Sequence, residues 1–171
     1  MSADPNTILE SYDLDILDLS EIGTIFAEKT KNSDLLLLSG KVGAGKTEFA
    51  RQIIKSKALK ENLDIEEISS PTFSLIQSYD FQYCTISHID LYRVNSEEEL
   101  FELGIPDVFD NQITLLEWPE ILEINNFSRN VSIEIKETKE TEDARVMKIE
   151  FFGNGWGDLI VSLLESRHFR D

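Results

Sequence analysis

Cysteine is nearly absent from this 171-residue chain, which has one, Cys84. A single thiol forms no internal disulfide, and no Cys/His cluster has the spacing of a zinc site. Cys84 sits in an apolar run and reads as a buried small hydrophobe. Long hydrophobic runs are missing too. No stretch reaches the roughly 18 uninterrupted apolar residues of a membrane-spanning helix. Residues 1–10 have neither the cationic start nor the apolar centre of a signal peptide. The expectation is a cytoplasmic chain with no membrane partner. Positive charge is scarce: 16 Lys and Arg stand against 33 Asp and Glu, a net −17. A direct grip on nucleic acid needs clustered Lys and Arg to neutralise phosphates, and no cluster is present. Any nucleic-acid partner would therefore be handled by another subunit. Internal repeats and low-complexity linkers are also absent.

What remains is an ordinary core-forming composition, with 41% hydrophobic and 29% charged residues, enough for one domain over residues 1–171. Tyr12, Leu14 and Ile16 alternate with polar residues, suggesting an early strand. Ile22, Ile25, Phe26 and Lys29 then have helical spacing, with Ser20 as N-cap and Asn32 as terminator. Leu35-Leu36-Leu37-Leu38, bounded by Asp34 and Gly40, predicts a strand buried on both faces. A helix is expected over 47–59. Strands are expected over 74–80 and 84–91, joined at Asp80-Phe81-Gln82-Tyr83. An acidic helix follows Ser96. Residues 113–117 read as another buried strand, and Pro119 opens a short helix. Residues 130–136 and 145–152 alternate as an antiparallel pair, and 155–169 reads as a closing helix. The fold class is α/β: a single-domain P-loop NTPase with a mixed, largely parallel central sheet flanked by helices, and an antiparallel C-terminal strand pair.

The segment Gly40-Lys41-Val42-Gly43-Ala44-Gly45-Lys46-Thr47 fits G-x-x-x-x-G-K-[ST] in full. Its glycines leave no side chain in a phosphate's path, so successive N–H groups can turn inward as an anion nest. The helix that follows adds its positive end. In this motif Lys46 reaches the β- and γ-phosphates and the Thr47 hydroxyl binds Mg²⁺. The expected ligand set is Gly40, Gly43, Ala44, Gly45, Lys46 and Thr47, holding a nucleoside triphosphate with Mg²⁺. Lys41, inside the loop, reads as solvated. Chance would produce the four fixed positions at about three in a thousand for this composition, and the strand-then-helix context narrows it further.

A hydrolase of this type also needs acids to hold the metal and position water. Asp90 ends the apolar run after Ile86 and Ile89, and Glu117 ends the one after Ile113, Leu115 and Leu116. Parallel strands beside the loop strand would bring both into one crevice. The candidate catalytic set is Glu117, Asp90 and Lys46, and the candidate metal set Thr47, Glu117 and Asp90. Which of the two acids binds Mg²⁺ directly stays open. His88 shares a strand face with Asp90 and reads as structural, while Arg93 reads as pairing with an acid. No N-K-x-D or D-x-x-G motif supports a GTPase and no L-S-G-G-Q segment an ABC ATPase, so adenine is preferred by elimination. Two other readings remain: a small-molecule P-loop kinase, and a nucleotide-dependent binding module without hydrolysis. Such kinases carry an Arg-rich lid, whereas only scattered arginines follow the loop, at 51, 93, 129, 145, 167 and 170.

Four further segments follow the loop in order: Ser70-Pro71-Thr72-Phe73, His88-Ile89-Asp90-Leu91-Tyr92-Arg93, Glu99-Leu100 with Leu103-Gly104, and Glu117-Trp118-Pro119-Glu120. Together they resemble the TsaE (YjeE) family over about residues 35–120. The resemblance implies the ATPase subunit of the bacterial machinery that forms threonylcarbamoyladenosine at position 37 of tRNAs reading codons that begin with A. It implies partners TsaD and TsaB, with tRNA reached only through that complex, and weak activity alone. It implies ATP and Mg²⁺ as ligands, Asp90 as a Walker-B-like aspartate and Glu117 as the glutamate needed for hydrolysis. It also implies that Trp118 lies close to the site and that the 70–73 loop acts as a switch near the γ-phosphate. Glu48 departs from the hydroxyl or small residue common after Thr47. A family threonine near the base has no counterpart in Leu19-Ser20-Glu21-Ile22-Gly23. Asp143-Ala144-Arg145 resembles a late segment that can carry an arginine near the nucleotide.

Overall fold

The four consecutive leucines at 35–38 form a strand because both faces of that strand meet apolar layers. In the computed structural model, which describes residues 7–65, 67–105, 109–122, 127, 129–138 and 144–170, this strand is β2 (Leu35–Ser39). Before it come β1 (Ile8–Ser11) and α1 (Ile16–Lys29). After it come α2 (Lys46–Lys60), β3 (Ile76–Asp80), β4 (Thr85–Asp90) and α3 (Glu97–Glu102). Then follow β5 (Ile113–Glu117), a 3₁₀ turn at Pro119–Ile121, β6 (Asn130–Glu137), β7 (Arg145–Phe152), α4 (Gly157–Glu165) and β8 (Phe169–Arg170).

All eight strands join one sheet in the order β3-β4-β5-β2-β6-β7-β1-β8. Leu36 and Leu38 pack under α1, α2 and α4, with Phe26 and Phe49 meeting edge to face at 5.5 Å. Leu35 and Leu37 pack on the other face beneath Leu100 of α3 and Leu91. Gly23 lets α1 approach α2, since a β-carbon there would lie 2.8 Å from the Gln52 Cβ. Among the described residues, no helix is long and apolar enough to cross a membrane.

The sheet is mixed, but it is not largely parallel. The junctions β4–β5, β5–β2 and β2–β6 are parallel, whereas β3–β4, β6–β7, β7–β1 and β1–β8 are antiparallel. A tight turn joins only antiparallel neighbours, which fixes the sense where consecutive strands are linked by a short connection. The β3–β4 turn is such a hairpin, and β1 and β8 extend the sheet beyond the β6–β7 pair.

Four local readings also change. The early strand lies at Ile8–Ser11, while Leu14 makes only an isolated bridge to Arg145 and Ile16 already belongs to α1. Helix α1 is capped by Asp15 rather than Ser20, and ends at Lys29 with Thr30 as C-cap, short of Asn32. Asp15 accepts from the Leu17 and Asp18 amides, and Asp18 accepts from the Asp15 amide at 2.8 Å. This reciprocal box uses aspartate where glutamate or glutamine is usual. The closing helix stops at Glu165, because Phe169 and Arg170 pair with β1. Cys84 is only half-buried, at the edge of the core, and that burial pushes its thiol pKa up. The Ser96 cap of α3 is present, with its hydroxyl accepting from the Glu99 amide at 3.3 Å.

Asp15→Ala should cost about 1 kcal/mol in urea denaturation, the usual loss for an N-cap. Ser20→Ala should change stability by less than about 0.5 kcal/mol.

Candidate functional site

The parallel register places three strand ends at one level. Leu38 of β2 pairs with Glu117 of β5, which pairs with Asp90 of β4. Side chains opposite one another share a face, so Glu117 and Asp90 point to the side occupied by α2. Both are buried, at 2% and 3% exposure.

The glycine loop leaves β2 and turns directly into α2. Gly40 is required twice over: its φ is +137°, and a β-carbon would lie 2.3 Å from the Ile135 carbonyl oxygen of β6. Gly45 is the N-cap of α2 with φ +110° and no side-chain cap. The first-turn amides of α2 thus lack the capping oxygens that Asp15 and Ser96 give to α1 and α3. Such an uncapped helix start suits an anion. Lys46 is buried, and its Nζ donates to the carbonyls of Gly40 at 2.7 Å and Lys41 at 3.0 Å. The ammonium also lies 3.8 Å from the centre of the Trp118 ring. Burial lowers its pKa below the ordinary lysine value, and Glu117, Glu120 and Asp90 partly oppose the shift.

Thr47 Oγ1 donates to Glu117 Oε2 at 3.0 Å, and the other carboxylate oxygen lies 2.8 Å from His88 Nε2. Asp90 accepts from the Thr72 hydroxyl at 2.5 Å and from the Tyr92 amide at 2.9 Å. Ser70 and Thr72 share a hydrogen bond of 2.7 Å. The turn that follows is closed by Leu75 N–H to Pro71 O at 2.7 Å and tied to β4 by Asp90 N–H to Leu75 O at 3.0 Å. Trp118 has φ +59° and ψ +59°, a conformation rare for a bulky residue. Its amide is held by the Leu38 carbonyl at 3.1 Å, and its ring stands 5.0 Å from Tyr92. Strain of this kind, about 1–3 kcal/mol, persists only where surrounding contacts hold it.

A pocket of about 210 Å³ lies among these groups, lined by Val42, Gly43, Lys46, Thr47, Thr72, Asp90, Tyr92, Glu117 and Trp118. The structure therefore brings Lys46, Thr47, Asp90, Glu117, Trp118 and Gly43 to one cavity. Gly40, Ala44 and Gly45 shape the loop behind it. Arg93 stacks on the Phe73 ring at 4.3 Å and, among the described residues, pairs with no acid. Glu48 turns along α2 to Arg51 and, at 2.6 Å, to Gln52, and so leaves the loop free of its charge. Residues 19–23 lie within α1, away from the pocket lining. Asp143 lies outside the described residues. Arg145 donates from Nε to the Ala44 carbonyl at 3.0 Å and so braces the loop from β7. Tyr92 received no role from the sequence alone, although it falls two residues after Asp90, on the same alternation as His88. The long-range Arg145 brace left no sequence signal beyond the family-like segment around it.

Comparison with known proteins places this geometry in a family. Residues 15–147 match the family described as Threonylcarbamoyl adenosine biosynthesis protein TsaE. The tRNA threonylcarbamoyladenosine biosynthesis protein TsaE of Rickettsia felis is 42% identical over 105 residues, covering 61% of this chain and 59% of its own length. The protein of the same name from Bacillus subtilis is 34% identical over 149 residues, covering 86% of this chain and 87% of its own length. The chain thus spans about three fifths of the Rickettsia relative but most of the Bacillus one. The crystal structure of YdiB from Bacillus subtilis superposes with a TM-score of 0.67 over 96% of this chain and 99% of its own, at 24% identity, a likeness of fold. Together, the family match and the Bacillus relative establish that this chain belongs to the TsaE family.

Proposed function

We propose that this chain is a P-loop ATPase that binds ATP with Mg²⁺ and hydrolyses it. On this reading it serves threonylcarbamoyladenosine formation at position 37 of tRNAs reading A-starting codons. It acts in the cytoplasm with a TsaD–TsaB complex and reaches tRNA only through that complex. The observation that carries the reading is the convergence of Lys46, Thr47, Asp90 and Glu117 on one pocket beside an uncapped helix start. Family membership supports the pathway, and the partners are those that the resemblance of the sequence implies.

The residues fit Mg²⁺. Two carboxylates and a hydroxyl are hard oxygen donors, and the rest of a magnesium shell is normally water and phosphate. Among the described residues, neither Asp90 nor Glu117 pairs with Lys or Arg, so a divalent cation answers two buried negative charges. Thr47, Asp90 and Glu117 would hold the ion, which when bound neutralises charge on the phosphate oxygens. The loop amides and the Lys46 ammonium hold the phosphates. Glu117 orients and deprotonates the attacking water. Trp118 keeps an apolar wall against the ammonium. A kinase reading is less well supported, because among the described residues no arginine lines the pocket. Arg51, Arg129 and Arg145 are committed to Glu48, Asp34 and the Ala44 carbonyl.

The decisive assay is ATP hydrolysis with and without TsaD, TsaB and tRNA. Turnover should be slow alone and faster with the complex. A phosphorylated metabolite in place of free phosphate would favour the kinase, and no stimulation by an active complex would remove the proposal. Glu117→Gln should lower kcat roughly 10²–10⁴-fold, as loss of a general base does, while ATP still binds. Lys46→Ala should cost about 2–3 kcal/mol of ATP affinity, the scale of a charged hydrogen bond.

Lys46 also predicts a pH dependence. Its pKa is lowered in the free protein, so it loses its proton in an alkaline window where ordinary lysines keep theirs. A bound triphosphate favours the cation and raises that pKa again. ATP binding should therefore take up protons in this window, and affinity should fall as pH rises through it. Calorimetry in buffers of different ionisation enthalpy measures the uptake, which should vanish in Lys46→Ala.

A further inference from the structure

Glu117 is held from two sides, and only one of the holders belongs to the glycine loop. Thr47 takes Oε2. The other holder is His88, on β4 two residues before Asp90, whose side chain is 0% exposed beside a Glu117 side chain at 2%. His88 pairs in register with Leu115, so its ring and the Glu117 carboxylate are diagonal neighbours on one face of adjacent strands. The two ring nitrogens have different fates: Nε2 lies 2.8 Å from Glu117 Oε1, and Nδ1 is buried with no partner among the described residues.

This asymmetry assigns the tautomer. With hydrogen on Nε2, the ring donates to the carboxylate and leaves only a bare acceptor unpaired. With hydrogen on Nδ1, an N–H would be buried unpaired and a lone pair would face the carboxylate oxygen. The terminal torsion of a glutamate is otherwise broad, with no sharp preference between its oxygens. Bonded at both oxygens, this one has a single orientation. Packing alone does not require the imidazole, since an apolar side chain would fill the same space without burying an unpaired nitrogen.

We propose that His88 is a positioning residue. Its Nε2–H fixes the Glu117 carboxylate so that Oε2 stays turned to Thr47 and the phosphate side of the pocket. The inference rests on the proposed hydrolytic role of Glu117, and needs only a neutral donor at a fixed place.

Three substitutions test it. His88→Gln carries an amide N–H near the position of Nε2. His88→Asn places its amide near Nδ1, short of Glu117. His88→Leu removes the donor altogether. With the TsaD–TsaB complex present, His88→Leu and His88→Asn should lower kcat roughly 10–100-fold, the usual loss for a residue that orients a ligand. ATP affinity should stay unchanged, because the phosphate contacts are untouched, and His88→Gln should recover most of kcat. Equal activity in Gln and Asn, or a loss confined to KM, would overturn the proposal. If the leucine variant does not fold, the Gln–Asn comparison decides alone, with thermal unfolding of both recorded beside it. An inactive wild type would remove the ATPase reading and this inference with it. An active wild type with an equally active His88→Asn would remove this inference only.

Discussion

The site depends on the register between β2, β5 and β4. Parallel strands running in phase end together, so Leu38, Glu117 and Asp90 lie side by side and the chain leaves all three strands at one rim. The register is held by aliphatic packing. Leu36 and Leu38 are buried against α1 and α2, and Leu35 and Leu37 against the opposite layer. A slip of one residue in β5 would turn Glu117 to the α3 side and put Leu116 in its place. The geometry of the polar groups is thus a by-product of a hydrophobic alignment, and the strand with the plainest composition sets it.

The second constraint is electrostatic. On the proposed function, a chain of net charge −17 has to present positive potential at one spot to hold a polyphosphate. Part of that potential comes from groups without formal charge: amides at the start of α2 and in the loop. Lys46 supplies the formal charge, shielded from water by Trp118 and two carbonyls. The nearest stray acid on α2, Glu48, is drawn along the helix by Arg51 and Gln52. The surface can stay strongly acidic because the local field is built from backbone amides and one buried cation.

Legibility in the sequence followed the range of the interaction. The leucine run, the glycine motif and the alternation of β6 and β7 are local patterns, and the observed elements match them closely. Placing Asp90 and Glu117 on one rim required only that their strands run parallel. The outer sheet was harder to read, because β1 is four residues long and β8 two, too short for a period to register. Asp15 and Ser20 are both good N-cap types, and the aspartate at the third helical position hid the capping box. Arg93 looked like half of an ion pair, but an exposed aromatic one loop away offered it a face. The His88–Glu117 bond appears only once two strands are laid in register.

The brace on the glycine loop has a consequence during synthesis. Every fixed residue of the motif has been made by Thr47, yet the loop leans on Ile135, against which Gly40 is wedged, and on Arg145, 101 residues beyond Ala44. Contacts so distant along the chain form late. A nascent chain that has just released α2 from the ribosome therefore carries the complete motif without its observed shape. That shape waits for the β6–β7 hairpin, which makes the last third of the polypeptide the mould for its first.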